Sequence, residues 1–522
     1  MSPASNRPTE ITELTFAGPF GGIQSESALV QMETFGFADS LNIVFYDGVM
    51  MPKPGLFLLP PPASGPIQGI FDFFDAIGNR HTGVWCGGSI WELTSGATWH
   101  QKTGTLTNTT ATMSWTVVGG KLLFSQGTDP VQVWDGVATT FAAVSANATP
   151  AYHLGELNFC LIACPTVEAG VFAPQRMRWT TPGDPTQWTG GNSGISDMFN
   201  DLGPIRGWRK IYTMGYIFQR WGITAQQPTG NAITPWILYP LSSKQKGLCF
   251  DWTLSGTGEF AVYAGQDNIY LFNGSSSEPI GDLPLQGKAW LGARDRILSD
   301  LYATGSSIQA HGYYLSVTKS HEYATYWLLI PGQSTWVFNF KEQNWCRFNW
   351  PKVQSTTSVM YSMPDVRATQ INQLVGTIGG LAGSIISLSG SFNIGDSAAI
   401  GFSNGQIGYF DWDEPPDSAW SLTTGTLAFG DTRHSKDIRR VRMVMEADTQ
   451  VDITISATNE QGQTQTTVAS FSAAPGRTQN QVFPFHLPGF FTTFSFSGPP
   501  AQSFELSEIS VGYGIGREAS TQ

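Results

Sequence analysis

Charge is scarce in this chain, and so are the residues that build helices. Only 13% of its 522 residues are Asp, Glu, Lys or Arg, about half the usual share of ~25%. Runs of Ala, Glu, Lys and Leu are nearly absent, which sets aside helical bundles and coiled coils. Basic residues are in the minority, 28 Lys and Arg against 40 Asp and Glu, for a net charge of −12. That balance does not suit a clamp around nucleic acid, because Lys and Arg contacts to phosphate supply most non-specific affinity. It does suit a surface that nucleic acid must slide past. A surface so poor in charge is weakly defended against association, so much of it is expected to be buried against other subunits.

Metal and nucleophile motifs are missing as well. The seven histidines, at 81, 100, 153, 311, 321, 434 and 486, show no H-x-x-x-H, H-E-x-x-H or H-x-H spacing. There is no G-x-x-x-x-G-K-[ST] phosphate loop and no G-x-S-x-G elbow. No cofactor and no metal site is expected. Five cysteines stand at 86, 160, 164, 249 and 346. Their closest pair lacks the C-x-x-C spacing of metal or redox sites, so free buried thiols are expected. No apolar run approaches the ~18 residues that span a bilayer. The opening MSPASNRPTEITEL has neither the basic nor the apolar stretch of a signal peptide.

What the chain has instead is glycine and aromatic residues: 58 Gly, 33 Phe and 18 Trp. They recur in short β-segments closed by tight turns, as in VWCGGSIWEL (84–93), VVGGKLLFSQ (117–126), NIYLFNG (268–274) and STWVFNFKEQNW (334–345). The Gly87-Gly88 and Gly119-Gly120 turns are 32 residues apart, close to the length of one four-stranded unit. The expected fold is all-β: a β-propeller-like ring of about seven blades followed by a C-terminal β-sandwich. Blades are placed near 66–103, 112–146, 150–192, 205–243, 248–284, 308–350 and 356–410. The first strand of a hairpin in 38–62, turning at Asp47-Gly48, is expected to close the ring with the last blade. One short helix is expected within 284–307. The domain reading is an N-terminal arm over 1–40, the propeller over 41–414 and the sandwich over 415–522, where EPPDSAW gives way to alternating strands.

Candidate functional residues are few. The acids Asp72, Asp75, Asp129, Asp135, Asp251, Asp267, Asp411 and Asp413 mostly occupy turn positions, where Asp caps its own backbone. A glycosidase would need two of them facing one cleft, about 5 to 10 Å apart. Trp85, Trp91, Trp134 and Trp336 follow the blade rhythm and read as blade-to-blade packing; sugar platforms are the competing use. The one notable charge run, DTRHSKDIRRVRM (431–443), carries Arg433, Lys436, Arg439, Arg440 and Arg442. In a strand, Arg440 and Arg442 share one face, and Val441 and Met443 take the other. This is the candidate interface toward another subunit or an adaptor; a solvated strand face is the plainer alternative.

The order of motifs resembles the tail nozzle proteins of short-tailed, podovirus-like phages, also called tail hub or packaged-DNA stabilisation proteins. The residues that carry the likeness are Asn42 through DGVMMPKPG, then CGGSIWEL and GGKLLF. RMRWTTPGDPTQW (176–188) and GWRKIYTMGYIFQRWGI (207–223) follow, then Lys246, Gly247 and Cys249. Asn344-Trp345-Cys346 and the terminal RRVRMVMEA complete the series. The resemblance spans nearly the whole chain through short, degenerate motifs, and it lacks the large inserted receptor-binding domains of the most elaborated nozzles. It implies a non-enzymatic virion protein, assembled in the host cytoplasm into a phage tail as a homohexameric conduit below the portal-adaptor ring. Its implied partners are further copies of itself, the adaptor (head-to-tail connector), a needle, plug, fibre or spike, and viral double-stranded DNA. The DNA would pass through the lumen without sequence-specific binding, and the chain would not insert into a membrane. The competing function is a propeller that binds or cleaves carbohydrate, as an adhesin, lectin or glycosidase.

Overall fold

A computed structural model describes residues 11–18, 20–24, 36–94, 98–104, 106–231, 234–242, 245–283, 291–303, 310–315, 324–350, 357–364, 396–411, 414–429 and 433–518. The chain is all-β, a seven-bladed propeller joined to a β-sandwich. Among the described residues the only α-helix is Arg294–Ala303, within the stretch expected from the sequence.

Seven antiparallel sheets make the blades. Their first strands are Ile67–Phe74, Ser114–Val118, Ala151–Leu157, Ile205–Ile211, Ser255–Gly256, His311–Leu315 and Thr357–Pro364. These first strands neighbour one another in sequence order around the axis, and the seventh returns to the first. Where the fifth is only two residues long, the 3-10 turn Asp251–Thr253 bridges the gap between its neighbours. The blade spans expected from the sequence match these sheets to within about seven residues, the widest gap being at the fifth, expected from 248 and beginning at Ser255.

Tight turns and aromatic wedges explain why the sequence folds this way. Gly87-Gly88 and Gly119-Gly120 all have positive φ, the geometry that continues the right-handed twist of a two-residue hairpin. Between blades, Trp85 meets Phe124 at 5.4 Å, Phe218 meets Tyr263 at 5.2 Å and Trp327 meets Phe410 at 5.1 Å. Trp85, Trp134 and Trp336 are fully buried, as the packing reading expects. Each such side chain stabilises by roughly 1.5–3 kcal/mol through burial.

Ring closure differs from the expectation. The outermost strand of the seventh blade is Gly55–Leu59, paired with Ile407–Asp411. The Asp47-Gly48 hairpin expected to do this, Ile43–Tyr46 with Val49–Pro52, is instead hydrogen-bonded into the sandwich, where Met50 pairs with Leu506. The reason is apolar content. Ile43, Val44, Phe45, Met50 and Met51 are all buried, so both faces of the hairpin need cover.

The sandwich therefore draws on both ends of the sequence. Its first sheet runs Gln479–Gly489, His434–Ala447, Phe504–Glu518, Val49–Pro52, Ile43–Tyr46, with Ile11–Ala17 also on Phe504–Glu518. Its second runs Asp39–Leu41, Trp420–Thr423, Thr492–Gly498, Val451–Asn459, Thr464–Phe471. Burial alternates strictly along Val451–Asn459, the signature of a strand with one face on a core. Parts of the stretches read as arm (1–40) and as propeller (from 41) are thus strands of this second unit. The propeller strands, 55 to 411, lie between the sandwich's two contributions.

Candidate functional site

The basic strand is the first place to look. Val441, Met443 and Met445 point into the sandwich core, leaving Arg440 and Arg442 on the other face, as the alternation requires. That face has partners inside the monomer. Arg440 donates to Glu13 at 2.6 Å, and Arg442 donates to Glu508 and to Ser510. Arg439 lies 3.4 Å from Asp437. Lys436 is buried and Arg433 is exposed at the strand's start. Arg440 thus ties the first strand, Ile11–Ala17, to the sheet, with Glu13 lying across from Gly512.

Among the described residues, most of the candidate acids are held by local partners. Asp135 accepts from the backbone N–H of Val137 and Ala138, which holds its carboxyl below the ordinary range. Asp267 accepts from Tyr270 and Lys246. Asp129 binds Thr107 and Gln126, and Asp72 pairs with Arg80. Asp75 accepts from Asn79. Asp413 lies outside the described residues. Among the described residues, no group of three His, Cys, Asp or Glu side chains is placed to hold a metal ion. The five thiols are free, and burial pushes Cys86 and Cys160 up to about 11.

A buried polar cluster joins the two units. Asn42, at φ 59°, donates through its amide to Asn349 Oδ1 at 2.6 Å and to the Ala419 carbonyl at 2.7 Å. Its own Oδ1 accepts from the Asn349 N–H at 2.8 Å. Its carbonyl accepts from the Lys53 N–H, and its N–H donates to the Arg347 carbonyl. Beside it the fully buried Lys53 ammonium reaches Asp417 at 2.7 Å and lies 4.3 Å from the Trp350 ring centre. Arg347 clasps Asp39, and Asn344 donates to the Phe20 carbonyl. Blade six, the linker after the propeller and the N-terminal strands are thereby locked at one point.

The third feature lies on the propeller axis. A cavity of about 320 Å³ is walled by the inner strands of blades one to four and six and by the 251–255 segment. A second chamber of about 310 Å³ shares Trp115, Thr116 and Arg209 with it. Trp252 stands between two imidazoles, with ring centres 4.8 Å from His153 and 6.1 Å from His311. Burial, helped by the Arg206 charge, lowers His153 to about 4, and burial alone lowers His311 to about 4. Asp251 pairs with Arg206 at 2.8 Å, yet burial raises its carboxyl pKa in spite of that partner. The sequence did not single out this stack, since His153, Trp252 and His311 are 158 residues apart end to end and carry no local spacing signal.

No protein-family model matches the chain, and no curated protein matches it by sequence. Solved structures share its general architecture at low similarity. Virginiamycin B lyase from Staphylococcus aureus is 9% identical with a TM-score of 0.40, over 68% of this chain and 98% of the lyase. YCF48 bound to D1 peptide is 11% identical with a TM-score of 0.38, over 69% of this chain and 98% of YCF48. An exo-beta-1,3-galactanase from Phanerochaete chrysosporium is 11% identical with a TM-score of 0.26, over 80% of this chain and 99% of the galactanase. Scores this low carry no argument about activity, and the propeller assignment rests on the sheet topology itself.

Proposed function

We propose that this chain is a structural virion protein, a tail nozzle or hub subunit of a short-tailed phage. Copies of it form a homo-oligomeric ring, a hexamer by the resemblance, seated below the portal-adaptor and carrying the needle, plug or fibres. Its role is to retain packaged double-stranded DNA and let it pass on infection, with no catalytic step. The observation that carries this reading is the joint. Two of the segments behind the nozzle resemblance, Asn42 through Gly55 and Asn344 through Cys346, sit there and serve the architecture. Groups buried this deeply fix two units as one rigid block, which a load-bearing conduit under internal pressure requires. The net charge of −12 supports it too, since a carboxylate-rich lumen repels phosphate and offers DNA no sticky sites.

The test is assembly. The purified chain is mixed with the adaptor ring of its own phage and imaged by negative stain. Six-fold rings with a central hole are the expected result. A chain that stays monomeric with its connector, and is absent from purified particles, would overturn the proposal.

A further inference from the structure

The propeller exposes two groups of bulky apolar side chains, one at each end of its axis. Strands alternate in direction, so the first and third turns of every blade lie at one end. The second turns and the connections between blades lie at the other. At the first end stand Ile77, Val137, Phe159 and Tyr212, one from each of blades one to four. The turns there touch one another, Gly120 lying against Ala76 and Gly136 against Asp75 and His81. Phe159 lines a cavity of about 410 Å³, and Tyr212 lines the chamber that shares Glu156 and Lys210 with it. At the second end stand Tyr152, Phe172, Phe199 and Trp221, from blades three and four. Phe172 meets Tyr152 at 5.4 Å between ring centres. The segment carrying Phe199 is tied on both sides, since Asn200 accepts from Gln175 and exchanges amide bonds with Gln219, and Leu202 accepts from the Trp221 N–H. The Arg220 guanidinium lies 5.6 Å from the Trp221 ring centre.

The monomer gains little from these side chains. Phe199 is 93% exposed and Ile77 81%. Phe159 and Tyr212 stand at φ 64° and 53°, a left-handed backbone that disfavours bulky residues and favours Gly or Asn. We propose that the two groups are the two sides of a heterologous contact between neighbouring copies of this chain. The inference rests on the nozzle reading for closure into a ring, and it adds the surfaces that make the ring. A two-fold pair would bring one patch against itself and leave the other in water. Two unlike patches at opposite ends are what a heterologous contact needs, the kind that closes into a ring. The area agrees. With roughly 150–250 Å² per aromatic side chain, the second group leaves about 500 Å² open, near the top of the roughly 300–600 Å² range for the largest patch on a monomer. A standard interface buries about 800 Å² per partner, and with about 57–65% of it apolar the need is again about 500 Å². Trp, Tyr and Arg, all present at the second end, are the residues that carry most binding energy at interface centres.

The test is sedimentation velocity on the full chain, alone and with the adaptor ring of its own phage. Ile77→Asp/Phe159→Asp disables the first end, and Phe199→Asp/Trp221→Asp disables the second. All four side chains are exposed, so melting temperatures should stay near that of the parent; Phe199→Ser/Trp221→Ser replaces the second variant if its melting temperature falls. Each variant alone should associate at least about thirtyfold more weakly than the parent, the size of one hot-spot contact. Mixed in equal amounts, the two variants hold one intact pair of faces between them, so they should form heterodimers and no rings. Variants that assemble as the parent does, or a mixture that stays monomeric where the parent associates, would overturn the contact and leave the nozzle reading standing. Normal rings that lose their needle or fibres would give the patches to another protein and overturn it equally. A parent that stays monomeric in both conditions overturns the ring, and the contact with it.

Discussion

Removing Lys53 should loosen the whole molecule, although the residue sits in neither a blade nor the sandwich core. Its ammonium is fully buried, 2.7 Å from an Asp417 carboxylate whose side chain is 6% exposed. At that separation and an effective dielectric near 20, the attraction is about 6 kcal/mol. Desolvating two ions costs several kcal/mol each, so the intact pair is close to neutral against an apolar replacement, while removing one partner strands the other and costs about 3–5 kcal/mol. Lys53→Ala and Asp417→Ala should each lose about that much. For a chain of 522 residues, with about 2 cal/mol/K of unfolding entropy per residue, this lowers Tm by about 4 °C. The double change Lys53→Met/Asp417→Leu should recover most of the loss, giving a coupling of about 3 kcal/mol in a guanidinium-denaturation cycle. Single variants melting within about 1 °C of the parent, or a double variant no better than the worse single, would show that the pair does not hold the joint.

Other outcomes follow from the same geometry. At Asn42, with φ 59°, Asn42→Gly should cost less than Asn42→Ala by about 1 kcal/mol in chemical denaturation, because only Ala pays for the left-handed backbone; the reverse order would remove strain from the explanation. His311 titrates near 4 when folded and near 6.5 when unfolded, so below pH 6.5 the unfolded chain takes up the extra proton. Its contribution should fall by about 1.4 kcal/mol per pH unit, about 3 kcal/mol by pH 4, and His311→Phe should flatten that part of a melting-versus-pH curve. Arg440→Glu/Arg442→Glu breaks partly exposed pairs worth about 0–1 kcal/mol each. The monomer should stay folded with faster hydrogen exchange in Ile11–Ala17, while ring formation with the adaptor is lost; normal ring yield would reject an interface role. Changes at Asp135, Asp267 or Asp411 should affect folding or assembly and no turnover. Host polysaccharide hydrolysis abolished by one of them, with the fold intact, would overturn the structural role.

Much of the fold was legible because its signals are local. Gly-Gly and Asp-Gly turns dictate hairpins from two residues, and strict alternation in Val451–Asn459 declares a half-buried strand without reference to the rest of the chain. Gln479–Gly489 is harder to read, because Pro484 and Pro488 argue against a strand; it is tolerated as the end strand of its sheet, where unpaired backbone positions accept proline. Closure by Gly55–Leu59 was missed because its partner lies some 350 residues away, and neighbouring apolar strands look equally suitable in one dimension. The same holds for function. The arginines of 439–442 stand out as a cluster, but Glu13 and Glu508, which meet them, are visible only in space. Asn42 and Lys53 showed as a motif, and the network they anchor did not.

The interleaving of the two units has a consequence for how the chain is made. Gly55–Leu59 cannot complete its blade until Ile407–Asp411 exists, and Ile11–Ala17 and the Asp47-Gly48 hairpin await Phe504–Glu518. At a synthesis rate of about 5–20 residues per second, the strand Gly55–Leu59 therefore remains without its edge partner for roughly 20–70 s. Through that interval, Phe45, Met50 and Leu56, later wholly buried, are in the open on the nascent chain. Ribosome-bound chaperones, low temperature or slow expression should therefore raise the yield of soluble product. For the same reason, a fragment cut at residue 415 would leave the sandwich without Ile11–Ala17, Asp39–Leu41, Ile43–Tyr46 and Val49–Pro52, so the sandwich cannot be produced as the piece from 415 onward.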